Sequence, residues 1–477
     1  MKRAVCSAAA ALGAITLSLT TVSTAQAPRP APTFAKDVAP IMFDKCAGCH
    51  RPGEVAPMPL LSYEDARPWA KAIKIKVLAR DMPPWGADHE LTLPMRNDRS
   101  LTEREIQTIA AWVDGGAQRG NDADLPAKPT FKEGWTYGRE PDYVFEMPLE
   151  FEIPAEGELS VQNFYTKVPW TEDRFAQVVE LRPGNRSVVH HAGIYFVDLP
   201  EGGTLDEQGR LVVAGKSDTE RSLRSGELTF AGSSKLLSFV PGRGLDQHRA
   251  DVGKRIPAGK YINWQMHYNP TGKPEKDRTR LGIWFNKVPV KREILIRQAG
   301  DPLATDKTAL SLYRAEGKEV EYSADEGSTN RRRQTPNIPP YAGNWRLTGI
   351  TPVTEDITLY AMSPHMHLRG KSLKWVVTYP DGREQTILSV PKFDFNWQFN
   401  YELAEPLKIP AGSKITGIGF YDNSPKNRWN PAPHLEVYWS EQSWDEMYQP
   451  FTEYSVDSQD LTKKTSTTTS SQQRQQQ

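Results

Sequence analysis

S-V-V-H-H-A-G-I-Y-F-V, residues 187–197, is an almost unbroken run of β-branched, aromatic and small residues. Such side chains suit the pleated, half-buried surface of a sheet. Similar runs recur downstream: F-A-Q-V-V-E-L (175–181), Y-I-N-W-Q-M-H-Y (261–268), I-T-L-Y-A-M-S (357–363) and S-L-K-W-V-V-T-Y (372–379). Turn residues separate them, and Pro380-Asp381-Gly382 is a hairpin signal. About 320 residues in this style exceed what one sheet-on-sheet domain needs, so two all-β domains are expected, 137–290 and 291–460. The polar stretch 300–340, with R-R-R at 331–333, is expected to be a long insertion or loop.

Upstream the periodicity is helical. Phe34, Val38, Ile41 and Met42 follow one face, and a second helix is expected from about Tyr63 to Ala79. Thr102 followed by Glu105 forms a capping box. Ile106, Ile109, Ala110 and Val113 then form an apolar stripe, which Gly115-Gly116 ends. Residues 33–118 are therefore expected to form a small all-α domain, followed by a polar linker over 119–136.

The 477 residues are too many for one hydrophobic core. With 59 basic and 59 acidic residues, no electrostatic case arises for nucleic acid or an anionic membrane. Lys2 and Arg3 precede an apolar run to Leu19 and then S-T-A-Q-A (23–27), the pattern of a signal peptide over 1–27. An exported protein, periplasmic or secreted, is expected. No later run reaches the ~20 apolar residues of a membrane span. The low-complexity tail, 461–477, is expected to be disordered. Cys6 leaves with the signal, so Cys46 and Cys49 allow at most one disulfide.

Those two cysteines lie in C-A-G-C-H (46–50), the attachment signature of c-type haem. Both thiols would form thioethers and His50 would ligate iron, making the helical region a cytochrome c domain. Met82, in R-D-M-P-P-W (80–85), is the expected sixth ligand. Met58 and Met95 are alternatives to it, and a lone disulfide or redox C-x-x-C is the alternative to haem.

Five of the other eight histidines fall in β-like contexts: His190 and His191, His267, and His365 with His367. On a strand, His365 and His367 share one side and can bite one metal, while Met366 points away. Adjacent His190 and His191 would face opposite ways unless a bulge or strand end intervenes, which Gly193 could permit. The plain alternative makes one of that pair exposed and one buried, with His267 in the core. His89, His248 and His434 are expected to be structural or surface residues.

Taken together and in order, V-V-H-H-A-G, Q-M-H-Y-N-P, S-P-H-M-H-L-R-G, F-D-F-N-W-Q (393–398) and W-D-E-M-Y (444–448) resemble the copper type II, ascorbate-dependent monooxygenases. That family includes peptidylglycine α-hydroxylating and dopamine β-monooxygenases, and the resemblance spans about 137–458. It implies jelly-roll-like sandwich domains. It also implies an electron-transfer copper on His190, His191 and His267, and an oxygen-activating copper on His365, His367 and Met447. A solvent-filled gap would separate the two ions. The implied reaction hydroxylates a C–H bond of a small organic or peptide substrate with O2, with ascorbate or a redox protein as electron donor. Two features depart from the family's animal members: no cysteines remain for disulfides, and a haem domain is fused in front. The haem is therefore expected to feed electrons to copper. The competing functions are a non-enzymatic haem/copper electron carrier and a sandwich binding module with a cytochrome domain.

Overall fold

The computed structural model describes residues 31–463, apart from 55, 132–133, 158, 214–233, 241–243, 307–308, 321, 325–330, 334 and 441. The expected export signal, 1–27, and most of the expected disordered tail lie outside the described residues. Among the described residues, no helix is long and apolar enough to cross a membrane.

The chain is mostly β, which corrects the fold expected from sequence. The described residues form four large sheets of six, four, four and six strands, plus three two-stranded ones. Among the described residues the longest helix is Glu103–Asp114, with 12 residues. No sizeable all-α cytochrome domain precedes the sheets, and the expected architecture of such a domain followed by two jelly-roll-like sandwiches does not describe the molecule. The reason lies in the prolines and in residues 79–101. Pro68 reduces the expected second helix to Tyr63–Ala66, a 3₁₀ turn at Arg67–Trp69, and Ala70–Leu78. After Leu78 the chain becomes an extended arm that leaves the helices. Trp85 is buried in the core of the last sheets, with Ala87, Leu93 and Met95 packed against it. Backbone bonds from Asp88 to Ser389, Leu93 to Ile387 and Arg96 to Glu402 fasten the arm.

What remains helical is built as its signals dictate. Thr102 and Glu105 form both halves of the capping box. The helix ends at Asp114, and Gly116 takes φ +86°. Ile106, Ile109 and Trp112 join Phe34, Val38, Met42 and Ile73 in a small apolar cluster.

Residues 143–285 build a first β unit. A six-stranded sheet, centred on Arg174–Arg182 and Arg280–Phe285, faces a four-stranded one containing Val189–Val197 and Tyr261–Tyr268. Facing side chains such as Val179, Leu181 and Ile283 meet Ile194, Phe196 and Trp264 in one core. Arg292–Glu293 pairs with the first unit and Leu295–Gln298 with the second, so the chain crosses at Ile294.

In the second unit, alternating burial along Trp345–Pro352 and Lys414–Tyr421 turns one face of a six-stranded sheet toward Ile357–Ser363 and Phe451–Val456. Gly370–Thr378 and Glu384–Val390 pair across Pro380-Asp381-Gly382, where Gly382 takes φ +83°. The 300–340 stretch is not only a loop. Leu312–Ala315 is a strand of the large sheet, and Tyr313 is buried in its core.

Three buried charges tie the units together. The Lys254 ammonium of the first unit lies 2.7 Å from Asp246, donates to the Leu236 carbonyl at 2.8 Å, and lies 3.5 Å from Glu453 of the second.

Candidate functional site

His191 and His267 are cross-strand neighbours in the ladder between Val189–Val197 and Tyr261–Tyr268. The register then slips, with Tyr268 opposite Val189, so His190 is an extra, bulged residue. The bulge sits at His190 itself rather than at Gly193, and it turns both adjacent histidines inward. Their Nδ1 atoms are 3.1 Å apart, while His267 stacks on His191 with ring centroids 3.8 Å apart. Two nitrogens held about 2.0–2.1 Å from one ion stand roughly 3 Å apart, so the His190–His191 separation suits a shared ion. His191 Nε2 is buried and has no hydrogen-bond partner among the described residues.

His365 and His367 do not lie on a strand. They occupy the connection between Ile357–Ser363 and Gly370–Thr378. Pro364 has no N–H for a ladder, and other partners take over. His365 and Gln449 exchange both backbone hydrogen bonds, at 3.1 and 3.0 Å. The exchange stops there: the His367 and Met447 N–H groups turn to the Glu446 carboxylate instead of to each other. Met366 and Tyr448 are both buried in the core.

Glu446 holds this arrangement. Its carboxylate is fully buried and accepts three backbone N–H groups, from His367 at 2.8 Å, Arg369 at 2.6 Å and Met447 at 3.1 Å. The His367 and Met447 amides meet on the same oxygen.

Hydrogen bonds also select the nitrogen each ring leaves free. A carbonyl oxygen can only accept, so the opposing ring nitrogen carries the proton. His365 Nδ1 meets Gln398 Oε1 at 2.5 Å, and His367 Nδ1 meets the Asp445 carbonyl at 3.3 Å. His367 also has a backbone partner in Gln442, whereas His365 keeps a lone pair on Nε2. His50 behaves alike, with Nδ1 3.1 Å from the Met58 carbonyl. His190 is the reverse: Nε2 lies 3.0 Å from Asn396 Oδ1, which frees Nδ1.

The two histidine groups are neighbours, where a solvent-filled gap was expected. His191 and His365 have ring centroids 6.3 Å apart. Phe395 packs between the groups, 5.4 Å from His190, 5.3 Å from His191 and 5.7 Å from His367. The cavity touching His191 and His365 is about 30 Å³, room for roughly one water. A far larger cavity, about 1100 Å³, opens beside Met447 and is bordered by Lys235, Arg297 and Tyr448.

Among the described residues, no three of the His, Cys, Asp and Glu side chains converge on one point as they stand. The nitrogens come in pairs, and the third member of each proposed set is the stacked His267 or the thioether of Met447.

In the helical region, Cys46 and Cys49 are free thiols. The Cys49 and His50 N–H groups both donate to the Cys46 carbonyl, forming a tight turn. Burial pushes the Cys46 thiol up to about 12 and raises Cys49 as well. Met82 is fixed by a backbone bond to Lys76, next to Asp81, which Lys392 of the second β unit grips at 2.7 Å. Met58 instead contributes its carbonyl to His50, and Met95 pairs with Leu403 in the second β unit. Arg186, four residues before His190, reaches Glu54, which also pairs with Arg51. His89 and His434 are exposed and His248 is half-buried, outside both groups.

Burial lowers the pKa of all five clustered histidines. His191, His267 and His365 lie well below 6.5, His190 is lowered, and His367 falls to about 4. The unfolded chain then binds more protons below pH 6.5 than the folded one, so this stability is complete above 6.5 and lost as pH falls through the folded values. Glu446, raised to about 7 by burial, works oppositely, as do the raised Asp277 and Glu293. Five imidazoles outweigh three carboxyls. For metal-free protein, the urea midpoint is expected to fall between pH 7.5 and pH 5; a flat or rising midpoint would contradict the buried neutral cluster.

Sequence reasoning reached the histidines and Met447 but not the roles of Phe395, Asn396, Gln398 and Glu446. The signal was there: amide and acid side chains inside the aromatic stretches F-D-F-N-W-Q and W-D-E-M-Y.

No family model and no curated protein matches this chain. Among solved structures it is similar to an allantoicase (9% identity, TM-score 0.15, covering 57% of this chain and 79% of that one). It is also similar to the N-terminal CBM22-1-CBM22-2 tandem domain from Paenibacillus barcinonensis Xyn10C (11%, 0.15, 68% and 95%). A third is a mutant form of Bacillus subtilis oxalate decarboxylase (12%, 0.13, 76% and 88%). Similarity at these TM-scores identifies neither fold nor function.

Proposed function

We propose that the protein is an exported copper-dependent monooxygenase that hydroxylates a C–H bond of an organic substrate and draws electrons through a covalently attached haem. The observation that carries it is the pairing of His365 and His367, whose ring centroids are 5.2 Å apart. A single buried carboxylate, Glu446, holds the backbones of His367 and Met447 together, and the family resemblance supplies Met447 as third ligand. Imidazole suits copper, and a thioether is a soft ligand that favours Cu(I). His190, His191 and His267 would hold a second copper, supported by the convergent Nδ1 atoms of the first two. Copper bound at these residues supplies activation of O2. Haem bound at Cys46, Cys49 and His50, with Met82 as sixth ligand, supplies one-electron transfer.

The chain's own residues do the rest. Buried, neutral imidazoles are ready to ligate without first losing a proton. Phe395 and the surrounding core keep water down to a small pocket between the two groups. The cavity beside Met447 is large enough for a drug-sized molecule. Ascorbate or a redox protein would renew the electrons.

His367→Ala tests this. O2-dependent hydroxylation is expected to be lost while the haem absorption spectrum stays as in the parent. Hydroxylation that persists in the variant would sink the assignment.

A further inference from the structure

The stretch Phe393–Gln398 belongs to the second unit, where the Phe393 N–H donates to the Lys371 carbonyl. Yet it touches histidines of both units. The orientation of its two amides follows from the partners of their nitrogens. Asn396 Nδ2 donates to Asp394 Oδ1 at 2.9 Å, leaving Oδ1 to face His190 Nε2. Gln398 Nε2 donates to the Phe395 carbonyl at 2.8 Å, leaving Oε1 to face His365 Nδ1. One short loop thus assigns opposite tautomers, freeing Nδ1 on His190 and Nε2 on His365. The His190 ring is also held from the side by Phe395. On the first unit's side His190 Nδ1 meets His191 Nδ1 at 3.1 Å, while the second unit's Asn396 occupies the opposite nitrogen, Nε2.

We infer that Asn396 is the positioning residue that selects Nδ1 of His190 as the metal-binding nitrogen, so that the first histidine group is competent only while the second unit is docked on it. This rests on the copper assignment above. Because the His190 and His191 Nδ1 atoms are the convergent pair, a His190 ring free to turn would present Nε2 instead and break that convergence. Asp394, which orients the Asn396 amide through its side chain and through the backbone N–H at 2.9 Å, supports the same choice.

The test uses the full-length protein in a His367→Ala background, which isolates the first group, titrated with Cu(I) against a chelator. Asn396→Leu, close in size but unable to accept a hydrogen bond, is expected to weaken copper binding about 10–100-fold, the usual loss when a ligand's outer hydrogen bond is removed. Asn396→Asp keeps an acceptor oxygen and is expected to restore binding to within a few-fold. Circular dichroism checks that both variants fold, and the Asp variant carries the test if the Leu variant does not. Binding by Asn396→Leu at parental affinity, or a loss in Asn396→Asp as large as in Asn396→Leu, would overturn the inference. If the His367→Ala parent and the unmodified protein both bind no copper, the copper assignment itself fails, and the inference with it.

Discussion

Replacing Glu446 with Ala is expected to destabilise the protein by several kcal/mol and to abolish tight copper binding at His365 and His367. Three buried N–H groups, from His367, Arg369 and Met447, would lose their acceptor. Each orphaned buried donor costs about 1–3 kcal/mol, and bonds to a carboxylate are stronger than neutral ones. The functional effect follows from the same contacts. The His367 and Met447 amides meet on one Glu446 oxygen, so losing it releases both backbones at that point. Glu446→Gln keeps the shape but turns an NH2 group toward amide donors, and it is expected to fall between parent and Ala in both measurements. Urea denaturation and Cu(I) competition titration read the two effects. A parental urea midpoint in Glu446→Ala would show that these three bonds do not anchor the turn.

Lys254→Met is the second large effect, expected at about 3–5 kcal/mol. Lys254, Asp246 and Glu453 are only 2%, 2% and 6% exposed. Removing the ammonium leaves two carboxylates buried near each other without their shared cation. Asn400 still donates to Glu453 at 3.2 Å. Because Lys254 and Glu453 come from different units, the variant is expected to loosen the contact that brings His191 and His365 together. Limited proteolysis near Ile294 should accelerate together with the loss of stability. A Lys254→Met protein as stable as the parent would show that the triad is not a brace.

Local chemistry was legible in the sequence, and long-range pairing was not. Thr102 and Glu105 announce their helix because a capping box is complete within four residues. Pro380-Asp381-Gly382 announces its hairpin for the same reason, and the β-branched run at 187–197 contains the strand Val189–Val197. The bulge at His190 exists only in register with His267, 77 positions away, so periodicity alone puts His190 and His191 on opposite faces. His365 and His367 have the spacing of a strand, but Pro364 and the Glu446 carboxylate make their segment a connection. The extended arm 79–101 was hidden because its partners lie some 300 residues downstream, as in Leu93 to Ile387. For that reason the helical segment does not stand apart as an all-α domain. Leu312–Ala315 was likewise missed inside a polar stretch, although Tyr313 is a core residue. The proximity of the two histidine groups depends on Phe395, Asn396 and Gln398 crossing from one unit to the other, which no local pattern encodes.

In the proposed function the two histidine groups hold copper and the C-A-G-C-H turn holds haem. Elemental analysis of the purified, copper-reconstituted full-length protein tests it most directly. Two copper ions and one iron per chain are expected, with His367→Ala removing one copper and leaving the iron. Iron alone, or copper unchanged by that substitution, would contradict it.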